Sequence, residues 1–463
     1  MHSFSFQSQF KTTKAKLFDW HKKTFALERL TPPWESIKVK ERIYEGNNFI
    51  DGGRIRLQHE LIPLIKLNWN LIHKNYSEGN HFTDYMIKGP FKYWEHQHIF
   101  EDSGDSCSLI DDIKFDFFTS NNLIAEKIKY KLHKSFHYRH KILKRDIEDE
   151  NRNQFHEKLV LITGGDGMIG SHLIPMLNSM GYGIVQLKFS DNLCETKHHD
   201  FYKISWNPYK DHLPILPKEI SEKIKFGINL SGENILGLYT ENKKNKIRES
   251  RIISTNSLKI FLEKNNISLE SMIHASATGY YGNNMNTNLD ESTPKGSGFL
   301  SDTTEEWEYY QNHFSSLSNR VINLRIGAVL SIKGGFLKNI YRPYMFGLGI
   351  GIDSNNYVSH ISIEDLVRAI CFIMKNDKLS GVINAVSPNP IKMSDIFNDL
   401  NNVLKPLINF KISERLVGKF IGEIGKSLAL SNQNIIPKKL LNNNFIFLNN
   451  LFIKSLKNEF GQD

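Results

Sequence analysis

The chain has 463 residues, of which 40% are hydrophobic and 24% are charged, and its formal net charge is +9 at pH 7. This length predicts two or three domains, and the composition is typical of a soluble globular protein. The modest positive charge permits weak attraction to polyanions but does not require a polyanionic partner.

Two further features of the sequence bear on its location. No run of about 18 apolar residues occurs, and the first residues lack the apolar core of a signal peptide, so we expect a cytoplasmic protein without a membrane span. The three cysteines, Cys107, Cys194 and Cys371, stand far apart. Their spacing fits a reducing compartment and excludes a paired zinc or redox motif.

The first 150 residues show the pattern of an α+β domain. A helix is predicted over 14–30, because Thr31-Pro32-Pro33 would end it. Short strands are predicted at 37–43, 53–61, 66–75, 81–88, 91–100 and 107–118. A long helix closes the domain, since its apolar residues recur at every fourth position: Ile124, Ile128, Leu132 and Phe136. The polar stretch that follows predicts a domain boundary near 145–157.

The order of strand, helix, curved antiparallel sheet and long helix, with the Gly89-Pro90-Phe91…Trp94…His96 stretch and the region of Trp34, resembles the START/polyketide-cyclase-like superfamily. The resemblance is to the copy fused to certain epimerase-like proteins. It implies a helix-grip domain over 1–150, with an apolar cavity under the long helix that binds a hydrophobic small molecule. A filled core without a ligand is the alternative.

The long helix also carries many basic and histidine residues. The basic side chains suit the solvent face of an amphipathic helix better than a nucleic-acid or membrane-surface patch, so we expect no nucleic-acid partner. His133, His137 and His140 lie on the same helix, but no carboxylate completes a ligand set at helical spacing. We interpret them as surface histidines and expect no metal site.

Residues 159–170 contain the most informative motif of the chain. An apolar run ends in Thr163, three evenly spaced glycines follow, and a helix-like stretch covers 171–180. This order predicts a strand, a glycine-rich turn and a helix that together bind a dinucleotide pyrophosphate. A turn-rich loop without a ligand is the alternative.

Each glycine has a predicted role in that motif. Gly164 permits the tight turn, Gly167 lets the backbone approach the phosphate, and Gly170 lets the helix pack closely. The amides at the start of the helix then face the anion, which adds Met168 and Ile169 to the expected cofactor-binding residues.

The end of the second predicted strand, 183–188, bears on the choice of cofactor. Lys188 stands about where an acidic residue would select NAD, so a 2′-phosphate and therefore NADP is favoured. Asp191 lies slightly beyond, which leaves NAD open. A solvated lysine at a strand end is the alternative interpretation of Lys188.

Strands alternating with helices predict a doubly wound parallel sheet, an α/β architecture, after residue 157. The candidate strands are 158–163, 183–188, 226–230, 271–276, 320–326 and 381–385. The glycine spacing resembles the short-chain dehydrogenase/reductase superfamily, in its extended, epimerase-like branch. Sequence blocks from Phe226 onward narrow the resemblance to epimerase-like proteins with a C-terminal extension: 228–235, 246–255, 274–282, 289–291, 324–330, 363–366 and 384–388.

This resemblance implies a Rossmann domain over 157–395 and a small C-terminal cap domain over 396–463. The cap is expected to be helical, with a proline-led helix before a Gly-Phe-x-Phe strand in which Asn444 replaces the glycine. Asparagine tolerates the left-handed backbone that a glycine would use there. Superfamily members often pair into dimers, which leaves a homodimer open.

Strand ends at the carboxyl edge supply the candidate site residues. Leu230 and Ser231 are expected beside the nucleotide, and the Ser276 hydroxyl is expected to face a substrate carbonyl. Arg325 is a candidate for holding an anionic or polyhydroxyl substrate. An ion pair of Arg325 with Glu308 or Glu291 is the alternative.

The catalytic pattern departs from that of the superfamily. No tyrosine in 270–320 has a lysine four residues later, so the usual Tyr-x-x-x-Lys pair is missing, as it is in the epimerase-like family itself. Tyr280 or Tyr281 with Ser276 could relay a proton instead, although both tyrosines could simply pack the loop. His360 stands where the family has a tryptophan, and Ser362 stands where the family has a histidine. A role of the family's histidine is therefore not carried over to this chain.

Two functions therefore remain open at this point. The first is an NADP-dependent oxidoreductase or epimerase acting on an unidentified small substrate. The second is a catalytically inactive NADP-binding regulator, of cell division for example, which the missing Tyr-x-x-x-Lys pair favours.

Overall fold

A computed structural model describes residues 1–43, 51–62, 65–118, 122–148, 157–191, 195–198, 200–210, 213–235, 240–284, 288–413 and 432–462. The chain divides into two compact units. The first unit contains Met1–His156 with the short pieces Pro175–Tyr182 and His198–Asp200, and the second contains the remaining residues. No helix within the described ranges is long and apolar enough to cross a membrane.

The first unit is a seven-stranded antiparallel sheet with three helices. Its elements are β1 (His2–Phe10), α1 (Lys14–His21), α2 (Ala26–Leu30), β2 (Ile37–Ile43), β3 (Arg54–Ile62), β4 (Ile65–Ser77), β5 (His81–Lys88), β6 (Tyr93–Ser103), β7 (Ser106–Asp116) and α3 (Asn122–Glu148). The strand order is β1-β7-β6-β5-β4-β3-β2. The predicted strands and the long helix are thus present, whereas no range was predicted for the first strand, β1, and the predicted helix over 14–30 forms two helices.

Helix α3 packs against the sheet through aromatic side chains. The Phe136 ring lies 5.8 Å from the Phe4 ring, and Trp94, Ile113 and Phe115 belong to the same core cluster. Phe4 lies on β1, whose side chains alternate between the helix side and solvent. The sheet and its covering helix are consistent with the expected helix-grip arrangement without being specific to it.

The histidines of α3 correct one prediction. His133 and His137 are exposed as expected, but His140 is buried, and its Nε2 lies 2.6 Å from Asp111 Oδ2. Helical spacing could not reveal this carboxylate, because it comes from β7 rather than from the helix. The predicted boundary near 145–157 falls largely on residues outside the described ranges, and α3 continues to Glu148.

The chain from residue 157 onward, which includes the two short pieces that cluster with the first unit, is built on a parallel sheet. Its elements are β8 (Leu159–Thr163), α4 (Gly170–Ser179), β9 (Gly183–Phe189), β10 (Glu195–His198), β11 (Phe201–Trp206), α5 (Lys218–Ser221), β12 (Ile224–Asn229), α6 (Glu241–Lys264), β13 (Ser271–Ala277), α7 (Phe299–Asn312), β14 (Val321–Ile326), β15 (Ala328–Ser331), α8 (Gly335–Tyr341), β16 (Leu348–Asp353), β17 (Tyr357–Val358), β18 (His360–Ser362), α9 (Ile363–Lys375), β19 (Gly381–Ala385), β20 (Ile391–Lys392), α10 (Met393–Leu404), β21 (Ile408–Ser413), α11 (Lys438–Asn442) and α12 (Phe452–Phe460).

The main sheet confirms the predicted doubly wound topology. Its strand order is β10-β11-β9-β8-β12-β13-β14-β19, and the seven strands from β11 to β19 run parallel. All five residues of β8 are buried, as expected for a parallel strand covered on both faces. The order reverses at β8, between β9 and β12, and open α/β sheets bind ligands at the carboxyl edge of such a switch point.

The C-terminal part corrects a second prediction. Residues 396–463 are not purely helical, because β21 pairs in parallel with β16. The helix α11 follows Pro437 as predicted, but Phe445–Phe447 does not form a strand. Residues 414–431 lie outside the described ranges.

Asn444 adopts the left-handed conformation expected of it, with φ of +61°. We expect Asn444→Ala to reduce the free energy of unfolding by about 1 kcal/mol, because alanine pays the full steric cost of this conformation, whereas Asn444→Gly should be neutral or stabilising. The control is Asn442→Ala at the exposed end of α11. Urea unfolding measures all three variants, and equal effects of Asn444→Ala and Asn442→Ala would contradict the prediction.

Candidate functional site

The glycine loop lies between β8 and α4 at the switch point of the sheet. Gly164 has a φ of +70°, and a Cβ atom there would lie 2.7 Å from the carbonyl carbon and oxygen of Leu230. A Cβ atom at Gly170 would lie 2.6 Å from the Gly164 oxygen, so the start of α4 packs on the loop itself rather than on the sheet. Both positions therefore require glycine for the loop to keep this shape.

The loop is held against the end of β12. Leu230 donates its N–H to the Thr163 carbonyl, and the Thr163 hydroxyl donates to Asn229 Oδ1 at 2.6 Å. The Ser231 amide also donates to Asn229 Oδ1. The structure thus places Leu230 and Ser231 beside the glycine loop, and their position beside the nucleotide stays a prediction.

The start of α4 presents backbone amides at the same edge. The first amides of any helix have no acceptor within the helix and carry the positive end of its dipole. Met168 and Ile169 precede Gly170, the first residue of α4. The half-buried Met168 side chain packs against Gly334 and Gly335, so Met168 can contribute its backbone to an anion site while its side chain contacts these two glycines.

A group of charged side chains lies beside the loop. Lys203 Nζ is 2.8 Å from Asp166 Oδ1, and Gln186 donates to the same oxygen at 3.0 Å. Partial burial raises the pKa of Asp166, but the bonds from Lys203 and Gln186 and the nearby charge of Lys188 lower it overall. Lys203 was not among the predicted site residues, because no strand was predicted over 201–206.

The second group of candidate residues surrounds a buried ion pair. Arg325 donates from Nε and Nη2 to the two carboxylate oxygens of Glu308, at 2.8 and 2.7 Å. The Ser276 hydroxyl donates to Glu308 Oε1 at 2.6 Å. The alternative given for Arg325, an ion pair with Glu308, is therefore the arrangement in the structure, and Glu308 joins the site residues that the sequence reasoning left without a role.

The two tyrosines occupy different environments. The Tyr280 ring is half-buried, and the Arg325 guanidinium carbon lies 3.3 Å from its centroid. Tyr281 is fully buried, and its hydroxyl donates to Asn384 Oδ1 at 2.8 Å. Burial raises the pKa of Tyr281, the opposite of what the lysine of a Tyr-x-x-x-Lys pair does, so Tyr281 is poorly suited to act as a base at neutral pH.

The nearby histidines are core residues. His274 on β13 is fully buried, and burial lowers its pKa to about 3. His360 on β18 is fully buried against Phe452, and burial lowers its pKa to about 4. The imidazoles of His274 and His360 are thus neutral at physiological pH, which suits packing better than proton transfer. Ser362, at the start of α9, caps that helix by accepting from the Asp365 amide.

Comparison with known proteins identifies similar sequences and folds. Residues 160–385 match the NAD dependent epimerase/dehydratase family. An epimerase family protein of Bacillus subtilis, YfhF, is 29% identical over 290 residues, which is 62% of this chain and 93% of that protein. An epimerase family protein of Staphylococcus aureus is also 29% identical, over 61% of this chain and 92% of its own length.

Two solved structures share the fold. A nucleoside-diphosphate sugar epimerase from Corynebacterium glutamicum is 23% identical, with a TM-score of 0.74 over 99% of this chain and 90% of that chain. The human epimerase family protein SDR39U1, solved with NADPH, is 23% identical, with a TM-score of 0.56 over 65% of this chain and 98% of that chain.

Proposed function

Because residues 160–385 match the NAD dependent epimerase/dehydratase family, we propose that the second unit is an NADP-dependent oxidoreductase or epimerase acting on an unidentified small substrate. The observation that carries the proposal is the shape of the glycine loop, which brings Gly164, the start of α4 and the end of β12 to one edge of the sheet. Bound NADP(H) would supply hydride transfer there.

The charges beside the loop support NADP over NAD. Lys188 and Lys203 both lie near Asp166, so two cations face one carboxylate. The remaining positive charge suits the 2′-phosphate of NADP. The human relative solved with NADPH supports the same choice of cofactor.

We expect Lys188→Ala to weaken NADPH binding about 10-fold and to leave NADH binding unchanged, because one charge-assisted hydrogen bond contributes about 1.5 kcal/mol. The control is Lys218→Ala, whose side chain is 83% exposed and lies before β12, toward the opposite edge of the sheet. Fluorescence titration measures both affinities. An equal loss for NADPH and NADH would contradict the assignment of Lys188 to the 2′-phosphate.

Substrate handling is assigned to the residues around Arg325. Ser276 and Tyr280 lie at the carboxyl edge of β13, where the Ser276 oxygen can still accept a hydrogen bond and the Tyr280 hydroxyl can exchange a proton with a substrate oxygen. Arg325 is held by Glu308, so it fixes the position of Tyr280 through its guanidinium face. Tyr281 holds the loop by its bond to Asn384.

Turnover is tested by incubating the protein with NADPH or NADP⁺ and a panel of nucleotide sugars and small carbonyl compounds, with product analysis by NMR. We expect Ser276→Ala to lower turnover about 10-fold without changing NADPH affinity, as for the loss of one hydrogen bond to the substrate. Ser271→Ala is the matched control, because Ser271 is buried at the other end of the same strand. Equal turnover in both variants would contradict a role for Ser276.

A second function is favoured by the same ion pair. Glu308 accepts hydrogen bonds from both the Ser276 hydroxyl and Arg325, so neither donor is free for a substrate. Tyr281 is buried, and its pKa is raised. These contacts would suit an NADP-binding regulator without turnover. Tight NADPH binding with no product from any substrate in the panel would favour this function.

A further inference from the structure

The first unit contains a buried group of histidine and aspartate side chains that the proposed function does not use. The sheet register brings them together, because Asp84 on β5 pairs with His73 on β4 and with His96 on β6. His98 follows two residues later on the same face of β6 and pairs with Asp111 on β7. Four adjacent strands, β4 to β7, thus direct histidine and aspartate side chains to one place.

We propose that Asp84, His96 and His98 bind a divalent first-row transition-metal ion, with Zn²⁺ as the first candidate. One ligand atom from each residue lies within 4.8 Å of the others. Bonds of about 2.0–2.2 Å to zinc require these atoms to move together by only about 1 Å. Two imidazoles and one carboxylate are a donor set that zinc accepts, and they leave a coordination position for water.

The surrounding contacts match those that orient metal ligands. Asp111 Oδ1 lies 2.8 Å from His96 Nε2 and 2.7 Å from His98 Nδ1. His140 Nε2 contacts the other Asp111 oxygen at 2.6 Å, and His73 Nδ1 lies 2.6 Å from Asp84 Oδ1. A carboxylate that accepts from one imidazole nitrogen leaves the other nitrogen available for a metal.

The contact to Asp111 also suits the geometry of His98. Its Nδ1 faces Asp111, and its Nε2 lies 3.7 Å from Asp84 Oδ2. An ion between His98 Nε2 and Asp84 would therefore be bound by both residues, while Asp111 fixes the ring from behind. This arrangement gives Asp111 a positioning role and Asp84 a direct one.

Burial and charge favour an ion at this place. His96 and Asp111 are 6% and 2% exposed, and Asp84 is 18% exposed in its side chain. Two carboxylates this far from solvent are costly unless positive charge compensates them, and a divalent cation supplies two charges.

The test is calorimetric titration of the full-length protein with Zn²⁺ after removal of metal by a chelator, with metal content determined by mass spectrometry. The proposal predicts one equivalent of Zn²⁺, and a visible spectrum of low-coordinate Co²⁺ when cobalt replaces zinc. Asp84→Asn and His98→Gln are expected to lose that equivalent, and Asp111→Asn is expected to weaken it about 10- to 100-fold. His137→Gln, an exposed histidine of α3, is the matched control and should keep it.

A second readout covers variants that fail to fold. Zn²⁺ should raise the Tm of the wild-type protein and of His137→Gln, because an ion that binds only the folded state stabilises it. The absence of both stoichiometric binding and a Tm shift in the wild type would overturn the proposal and leave a network of histidine and aspartate side chains that contact one another without a metal ion. Unchanged binding in folded Asp84→Asn and His98→Gln would overturn it as well.

Discussion

Gly164→Ala is expected to lower NADPH affinity by at least about 100-fold. The residue has a φ of +70°, and the added Cβ would lie 2.7 Å from the Leu230 carbonyl. The loop must either shift away from β12 or adopt another conformation, and both changes move the amides that face the phosphates. A displacement costing about 2.7 kcal/mol of binding free energy corresponds to that loss of affinity. Isothermal titration with NADPH measures it.

The control separates backbone strain from the clash. Gly104 lies in the turn between β6 and β7 with a φ of +69°, and a Cβ there would meet nothing within 4 Å. Gly104→Ala should therefore lose about 1 kcal/mol of stability and bind NADPH like the wild type. If folded Gly164→Ala also binds NADPH like the wild type, the loop does not hold the pyrophosphate.

Glu308→Gln is expected to destabilise the protein by about 3–5 kcal/mol. The side chains of Arg325 and Glu308 are only 3% and 8% exposed, so removal of the carboxylate leaves a buried, uncompensated guanidinium. The Ser276 hydroxyl also loses its charged acceptor. Urea unfolding monitored by circular dichroism measures the loss.

The double variant Glu308→Leu/Arg325→Met is the control for this prediction. It removes both charges, so it should be more stable than Glu308→Gln even though it changes more atoms. A loss below 1 kcal/mol in Glu308→Gln would mean that the guanidinium finds solvent or another partner. The short distances between Arg325 and Glu308 would then not correspond to a large contribution of this ion pair to the free energy of unfolding.

The parallel sheet was predictable because its signals are local. The strands β8, β9, β13, β14 and β19 lie within two residues of their predicted positions, since buried parallel strands form continuous apolar runs. The glycine loop was predictable for the same reason. The tight turn, the approach of the backbone to a phosphate and the close packing of the helix all depend on residues that are neighbours in the sequence. Asn444 likewise adopts the predicted left-handed angle.

Contacts between distant residues were not predictable. Lys203 reaches Asp166 only because β11 pairs with β9, and no strand was predicted at the position of β11. His140 contacts Asp111 across the space between helix and sheet, so no helical periodicity could indicate it. The range of β1 was not predicted, even though its alternating Ser and Phe residues are typical of a half-buried strand.

The choice of partner for Arg325 also depended on the fold. The sequence left Glu308 and Glu291 open, and the register of β13 and β14 with the position of α7 selects Glu308. The consequence is chemical, because the same carboxylate accepts from Ser276. A side chain expected to bind substrate instead completes a buried ion pair.

Equilibrium titration of the full-length protein with NADPH and with NADH tests most directly whether the second unit binds a nicotinamide cofactor. Saturable binding of one NADPH per chain, tighter than binding of NADH, is the predicted result. No saturable binding of either cofactor at millimolar concentration, by protein shown to be folded, would contradict it.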